Sequence, residues 1–171
     1  MNIAIWGFIG TILGVIIGSS TSILTTLINN KNAIKLQFKA EKLKQVEQFR
    51  EFQFKTFINL QSHIVTTMRH VTNVHFENIE SFKKHGKLSY LSVKLDEDLR
   101  EAFQELSILI ERVNSNELRG KLKNLHSEMG NCILPENKTN ADETFQNCAI
   151  LFKSISPEIG KELRSTYNHK Y

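Results

Sequence analysis

The feature that most restricts how this chain can fold is a stretch without any charged side chain, residues 3–28. Its side chains are apolar, glycine, serine or threonine, and the first charged residue after it is Lys31. A helix over this stretch would be roughly 39 Å long at about 1.5 Å per residue, enough to cross a hydrocarbon core of about 30 Å. A secretory signal would start with basic residues, which are missing here. We therefore expect a retained transmembrane helix in residues 1–30, followed by a second domain in residues 31–171.

One face of the uncharged segment is made of small and polar residues. Steps of three and four residues keep to one face of a helix, at about 100° per residue. We call this face the small polar stripe, and its members are Gly7, Thr11, Gly14, Gly18, Ser22, Thr25 and Asn29. The opposite face carries large apolar residues, among them Trp6, Ile16 and Leu24. Small residues at this spacing let helices approach closely, which predicts self-association.

Two assemblies would use the small polar stripe. In a plain anchor, the stripe would pack against its counterpart in a dimer. In a ring of helices, the stripe would face a narrow lumen and the apolar face would meet lipid. The residues alone favour the plain anchor.

Basic residues are concentrated immediately after the uncharged segment. They outnumber the acidic residues there, with Lys31, Lys35, Lys39, Lys42, Lys44, Arg50 and Lys55 against Glu41, Glu47 and Glu51. Positive charge stays on the cytoplasmic side of a membrane helix, so we expect a single-pass protein with its N-terminus outside and its C-terminal domain in the cytoplasm. This local excess equals the net charge of the whole chain, +4, so little is left to attract DNA. We expect Lys31, Lys35 and Lys39 to contact anionic lipid headgroups.

The remainder of the chain has the periodicity of helices. Apolar residues recur at helical steps from Leu43 to Val71, and neither proline nor glycine occurs between Gly18 and Gly86. The anchor can therefore continue into one long helix that ends at His85-Gly86-Lys87. No stretch alternates as a strand would. We predict an all-α fold, in which one N-terminal transmembrane helix continues into a cytoplasmic helical bundle.

Capping signals divide the rest of the bundle. Apolar residues from Leu95 to Val113 mark a second helix. We predict that a third helix opens with a capping box, a fourth with a second capping pair, and a fifth at a proline. The residues that carry these predictions are Asn114 with Glu117, Asn140 with Glu143, and Ser156-Pro157-Glu158.

Signatures of catalysis are sparse. The sequence has no phosphate-binding glycine loop, no zinc-ligand spacing and no glycine-flanked serine, so we expect neither a cofactor nor a metal. An arginine is followed by a histidine after four intervening residues at Arg164 and His169, and after five at Arg69 and His75. In RNA cleavage, such an arginine would steady the charge of a phosphate and the histidine would move a proton.

Taken together, these features resemble the membrane accessory protein of type VI-B CRISPR systems, whose body is a divergent HEPN domain. The resemblance covers the whole chain and is one of architecture: one N-terminal membrane helix, a compact all-helical body and an Arg–His pair at this spacing. It implies a ring-shaped homo-oligomer, an octamer, that forms a pore in the bacterial inner membrane. The small polar stripe would line the pore. The functional partner would be the RNA-guided ribonuclease encoded beside it, whose antiphage effect the pore would strengthen by depolarising the cell.

The same resemblance bears on the Arg–His pairs. Arg164 and His169 match the HEPN pattern by their position on the final helix, whereas Arg69 and His75 match by spacing but lie in the middle of a helix. In this divergent branch the pair would brace subunit contacts, so we do not expect an enzyme. Two alternatives stay open: a membrane-tethered HEPN-type ribonuclease that uses Arg164 and His169, and a passive scaffold that holds a cytosolic partner at the membrane.

Overall fold

The chain is all-helical in the computed structural model, which describes residues 3–87, 91–135 and 137–168 and contains no β-strand within these ranges. Helix α1 spans Ile3–His85, α2 spans Val93–Glu111, α3 spans Asn116–Asn131 and α4 spans Lys138–Asn168. The predicted all-α class is confirmed. The chain divides into two compact units, Met1–Gln48 and Phe49–Tyr171, and α1 contributes to both.

Helix α1 ends where the sequence predicts. Gly86 adopts a positive φ of 67°, and its backbone N–H donates to the carbonyl oxygen of Phe82 at 3.1 Å. Glycine tolerates this left-handed conformation because it has no Cβ, and the hydrogen bond satisfies one carbonyl of the last helical turn. The predicted end at His85-Gly86-Lys87 is therefore confirmed.

The second unit has a hydrophobic core to which all four helices contribute. The apolar residues of each helix recur at steps of three and four, so that they share one face. The buried members are Phe57, Leu60, Ile64, Met68 and Val71 of α1, Leu106, Leu109 and Ile110 of α2, Val113, Leu118, Leu122, Leu125, Met129 and Cys132 of α3 and its flanks, and Cys148, Ile155 and Ile159 of α4. Each large aliphatic side chain buried in this way stabilises the fold by about 1.5–3 kcal/mol. Core packing is thus what holds the second unit together.

Two buried side-chain amides attach α1 to the loops of the second unit. Gln53 donates from Nε2 to the carbonyl oxygen of Arg112 at 2.9 Å and accepts from the backbone N–H of Asn114 at 3.2 Å. Asn78 donates from Nδ2 to the carbonyl oxygen of Ile133 at 3.3 Å. Both amides are buried, so they need partners inside the protein, and backbone groups of the loops provide them.

The third helix begins one residue later than the capping box at Asn114 and Glu117 predicts. The capping residue is Ser115, whose side-chain oxygen accepts from the backbone N–H of Leu118 at 3.3 Å. The backbone N–H of Asn114 is already taken by Gln53 of α1. The tertiary contact therefore holds Asn114 outside the helix and leaves the cap to its neighbour, and the prediction of Asn114 as the cap is wrong.

The predicted fourth and fifth helices are a single helix, α4. Its start is capped by Asn137, whose Oδ1 accepts from the backbone N–H of Asn140 at 3.0 Å, so Asn140 lies inside the helix. Pro157 also lies inside it, although an interior proline costs roughly 3 kcal/mol or more. Ile155 and Ile159 flank this proline and are each only 2 % exposed. Burying both offsets the cost, since each contributes about 1.5–3 kcal/mol, and the predicted helix start at Ser156-Pro157 is wrong for this reason.

Candidate functional site

Within the described residues, one helix is long and apolar enough to cross a membrane by length and composition, and it is α1 from Trp6 onward. None of the apolar window is buried. Phe8, for example, is 68 % exposed. The core helix of a soluble domain would bury such a surface, and a large exposed apolar patch marks a surface that meets lipid or another protein. This segment of α1 is therefore the first candidate for a functional surface.

The hydroxyl groups of the small polar stripe differ in their hydrogen bonding. Thr11 donates from Oγ1 to the carbonyl oxygen of Gly7 at 2.9 Å, and Thr25 donates to that of Thr21 at 2.8 Å. These two donors are satisfied within their own helix and need no outside partner. Ser22 and Asn29 make no side-chain hydrogen bond to any residue that the structure describes. They are the members of the stripe whose donors remain available to a neighbouring helix or to water.

The glycines of the stripe leave open space beside α1. A Cβ atom added at Gly7, Gly14 or Gly18 would meet no atom within 4 Å. The monomer therefore does not require glycine at these positions. Small residues here instead allow a second helix to come close to the backbone.

The small polar stripe as first defined leaves out one glycine, Gly10, although it lies three residues after Gly7 and four before Gly14. Gly10, Gly14 and Gly18 are each four residues apart, which is the spacing of small residues found where membrane helices pack. Gly10 also has no atom within 4 Å of an added Cβ. A search for the four-residue spacing alone would have found it, and Gly10 extends the close-approach surface along one edge of the small polar stripe.

Exposed basic side chains follow the apolar window on α1. Lys31, Lys35 and Lys39 are all exposed. Lys39 also borders a shallow apolar surface with Lys42, Leu43 and Val46. Long lysine side chains can lie with their methylene groups on an apolar surface while the ammonium reaches water or a headgroup. The arrangement suits the contact with anionic headgroups expected for these lysines.

The Arg164 and His169 pair is only partly within the described residues. Arg164 is exposed on α4, and its guanidinium runs back along the helix to within 3.3 Å of where a Cβ of Gly160 would lie. His169 lies outside the described residues. The pairing of these two residues therefore remains a prediction.

Arg69 and His75 are not brought together. They lie about 120° apart around the axis of α1, and Arg69 is exposed whereas His75 is buried. The His75 ring stacks on Phe145 of α4, with 4.1 Å between centroids and 6° between planes. Burial lowers the pKa of His75 below its usual value, and the Asp142 carboxylate, 3.8 Å from Nε2, partly opposes this effect. In this position the imidazole packs α1 against α4.

A third pair at the same kind of spacing was missed, Arg119 and His126, with six residues between them. The Arg119 guanidinium donates to the carbonyl oxygen of Val113 at 2.9 Å and to the side chain of Asn116. Nε2 of His126 lies 3.2 Å from the carbonyl oxygen of Phe103. Both side chains are thus engaged by groups of the bundle itself, which indicates a structural role.

The two cysteines lie in the core of the second unit. Cys132 and Cys148 are both free and buried. The Cys148 thiol donates to the sulfur of Met68 at 3.7 Å, and its pKa is raised by the neighbouring Cys132 and by burial. Among the residues that the structure describes, no group of histidine, cysteine and acidic side chains is placed to hold a metal ion.

The sequence patterns did not predict contacts between residues that are far apart in the sequence. Nδ1 of His63 on α1 and Oε2 of Glu105 on α2 are 3.0 Å apart, yet neither residue belongs to a recognisable motif.

No family model matches the chain, and neither a curated protein nor a solved structure is significantly similar to it. A functional assignment therefore depends on the chemistry of the residues themselves.

Proposed function

We propose that the chain is a single-pass protein of the bacterial inner membrane whose copies assemble through the small polar stripe into a ring-shaped pore, most simply an octamer. The pore permeabilises and depolarises the membrane, while residues 31–171 lie in the cytoplasm. The observation that carries this proposal is the exposed, uncharged segment of α1, on which open glycine positions and the free side chains of Ser22 and Asn29 share one face.

The two faces of the segment suit the two environments of a helix in a ring. A hydroxyl that donates to its own backbone keeps oxygen lone pairs for water, so Thr11 and Thr25 remain polar toward a lumen. Ser22 and Asn29 add donors as well as acceptors. The face with Ile16 and Leu24 is mostly apolar, and the Ser20 hydroxyl on it donates to the carbonyl oxygen of Ile16 at 2.8 Å, so this face suits contact with lipid. The glycines let adjacent helices pack closely enough to keep the lumen narrow.

The architecture supports an antiphage role. A pore joined to a cytoplasmic helical body, as in the accessory proteins of type VI-B CRISPR systems, would act with an RNA-guided ribonuclease by depolarising the infected cell. Catalysis by the chain itself is not part of the proposal. Arg69 and His75 occupy different surroundings, and His169, the partner expected for Arg164, lies outside the residues that the structure describes.

The pore is tested with purified full-length protein in anionic liposomes that contain a self-quenched dye. Ser22→Leu places a large side chain on the small polar stripe, whereas Ser20→Leu makes the same change about 160° away around the helix axis. We expect wild type and Ser20→Leu to release dye and Ser22→Leu to release far less. Equal release by both variants would contradict the proposed lumen.

A passive scaffold is separated from a pore by exchanging the anchor. In cells, residues 1–30 are replaced by an unrelated single-pass helix of the same orientation, and membrane potential is followed with a voltage-sensitive dye. A pore loses depolarisation with this exchange. Antiphage protection that persists without depolarisation would favour the scaffold.

A further inference from the structure

The second unit contains a cleft of about 250 Å³ between α1 and α2. Its lining residues are Asn59, His63, Glu105, Ile108, Leu109 and Arg112. The volume is just below the range of about 300–1,000 Å³ that is usual for small-molecule sites. The cleft therefore suits a small ligand, and four polar side chains line it.

The imidazole of His63 is oriented by Glu105. Nδ1 of His63 lies 3.0 Å from Oε2 of Glu105, and the two side chains are 34 % and 49 % exposed. An ionised carboxylate only accepts hydrogen bonds, so Nδ1 carries the proton and donates it. This leaves Nε2 free to interact with a ligand, and the partial exposure of both groups means that a ligand can reach it.

Arg112 brings a positive charge to the same cleft. Its backbone carbonyl is held by Gln53 at 2.9 Å, which fixes the end of α2. The neighbouring carboxylate of Glu111 is engaged by Lys123 at 2.6 Å. Among the residues that the structure describes, none pairs with the Arg112 guanidinium, and none bonds to the side-chain amide of Asn59. Both groups can therefore donate to a ligand.

We propose that this cleft binds a phosphate monoester of a small polar molecule such as a sugar. The planar guanidinium of Arg112 offers two parallel donors that match two phosphate oxygens. The amide of Asn59 donates to a third oxygen, and Nε2 of His63 either accepts from a protonated phosphate oxygen or donates to a bare one. Ile108 and Leu109 cover the carbon skeleton. The proposal goes beyond the pore and does not depend on it, because every residue involved lies in the second unit.

A single phosphate fits this lining better than a nucleic acid strand. Grooves that follow a nucleic acid backbone present a row of cations and aromatic stacking platforms. Here the lining contains one arginine, one histidine and the acidic Glu105, with no aromatic ring beyond the imidazole. The guanidinium of Arg112 beside the oriented imidazole of His63 suits a single terminal phosphate group.

Calorimetric titration of the full-length protein in detergent micelles tests the site, with ribose 5-phosphate as the probe and ribose as its uncharged counterpart. We expect saturable binding of ribose 5-phosphate and none of ribose. Arg112→Gln should weaken binding roughly 10- to 100-fold, which is the loss of one charge-assisted contact. His63→Gln should also weaken it, as a second and independent variant.

Arg100→Gln is the matched control on α2. Arg100 is exposed and pairs with Asp96 at 2.9 Å, outside the cleft, so this variant should bind like wild type. Unfolding midpoints of all variants establish that each is folded. The proposal is overturned if ribose 5-phosphate does not saturate, if Arg100→Gln weakens binding as much as Arg112→Gln, or if single-stranded RNA binds and ribose 5-phosphate does not compete.

Discussion

The side-chain amide of Gln53 donates a 2.9 Å hydrogen bond to the backbone carbonyl oxygen of Arg112. Gln53 is only 4 % exposed, and its oxygen accepts from the backbone N–H of Asn114 at 3.2 Å. One side chain of α1 thus satisfies a donor and an acceptor in the turn between α2 and α3. This contact positions the end of α2, and with it the cleft that Arg112 lines.

Replacing Gln53 with leucine should lower the free energy of unfolding by about 1–3 kcal/mol, because the two hydrogen bonds that Gln53 makes to the turn are lost. Gln61→Leu, at an exposed position of α1, is the control and should have little effect. Urea unfolding of the solubilised protein, followed by circular dichroism, measures both. Similar stabilities for the two variants would show that water replaces the Gln53 contacts.

The cap of α3 gives a second prediction. Ser115→Ala should destabilise the protein by about 1 kcal/mol, since it removes the acceptor for the N–H of Leu118. Asn114→Ala should change stability much less, because the capping contact belongs to Ser115 and Asn114 uses its backbone N–H. Thermal unfolding midpoints rank the two variants, and the reverse order would restore Asn114 as the cap.

Self-association through the small polar stripe predicts position-specific crosslinking. Ser22→Cys should form disulfide-linked dimers in membranes treated with copper phenanthroline, because the stripes of neighbouring copies converge on one narrow lumen. Ser20→Cys, about 160° away around the axis, should stay monomeric on a non-reducing gel. The chain's own thiols are buried and provide a low background in wild type. Crosslinking at Ser20 that equals crosslinking at Ser22 would argue against the stripe as the contact.

The burial of His75 makes stability depend on pH. Because burial lowers its pKa, the unfolded chain takes up a proton near pH 6.5 while the folded chain keeps the imidazole neutral to lower pH. The contribution of the neutral His75 ring to the free energy of unfolding is therefore fully present above about pH 6.5. It declines as the pH falls toward the folded-state pKa of His75. The unfolding midpoint of wild type should drop between about pH 7 and pH 5.

A variant that keeps the aromatic stack isolates this effect. His75→Phe preserves a ring against Phe145 but cannot be protonated, so its midpoint should fall less over the same range. His85→Phe, at an exposed position at the end of α1, should keep the drop of wild type. An unchanged drop in His75→Phe would assign the pH dependence to other groups.

Sequence patterns predicted correctly those helix boundaries that depend only on residues nearby in the sequence. The absence of proline and glycine between Gly18 and Gly86 predicted the long helix, and the conformational freedom of Gly86 predicted its end. The same rules failed at Pro157. Proline usually starts or ends a helix, but the burial of Ile155 and Ile159 on either side of it outweighs that preference.

The candidate sites also differ in how far spacing along the sequence could predict them. The small polar stripe was visible beforehand because its members are three or four residues apart on one helix, whose geometry converts spacing into a face. The pairing of Arg69 with His75 looked equally good by spacing, yet packing against Phe145 buries the histidine and leaves the arginine outside.

The amino-acid sequence by itself determined that the chain is helical, that its first segment is uncharged, and that small residues line one face of that segment. These properties follow from interactions within one helix, over distances of a few residues. Only the tertiary structure decided that His63 meets Glu105 and that Gln53 meets Arg112. Such contacts depend on which turns of two helices lie opposite each other, and this register results from the packing of all the core side chains at once.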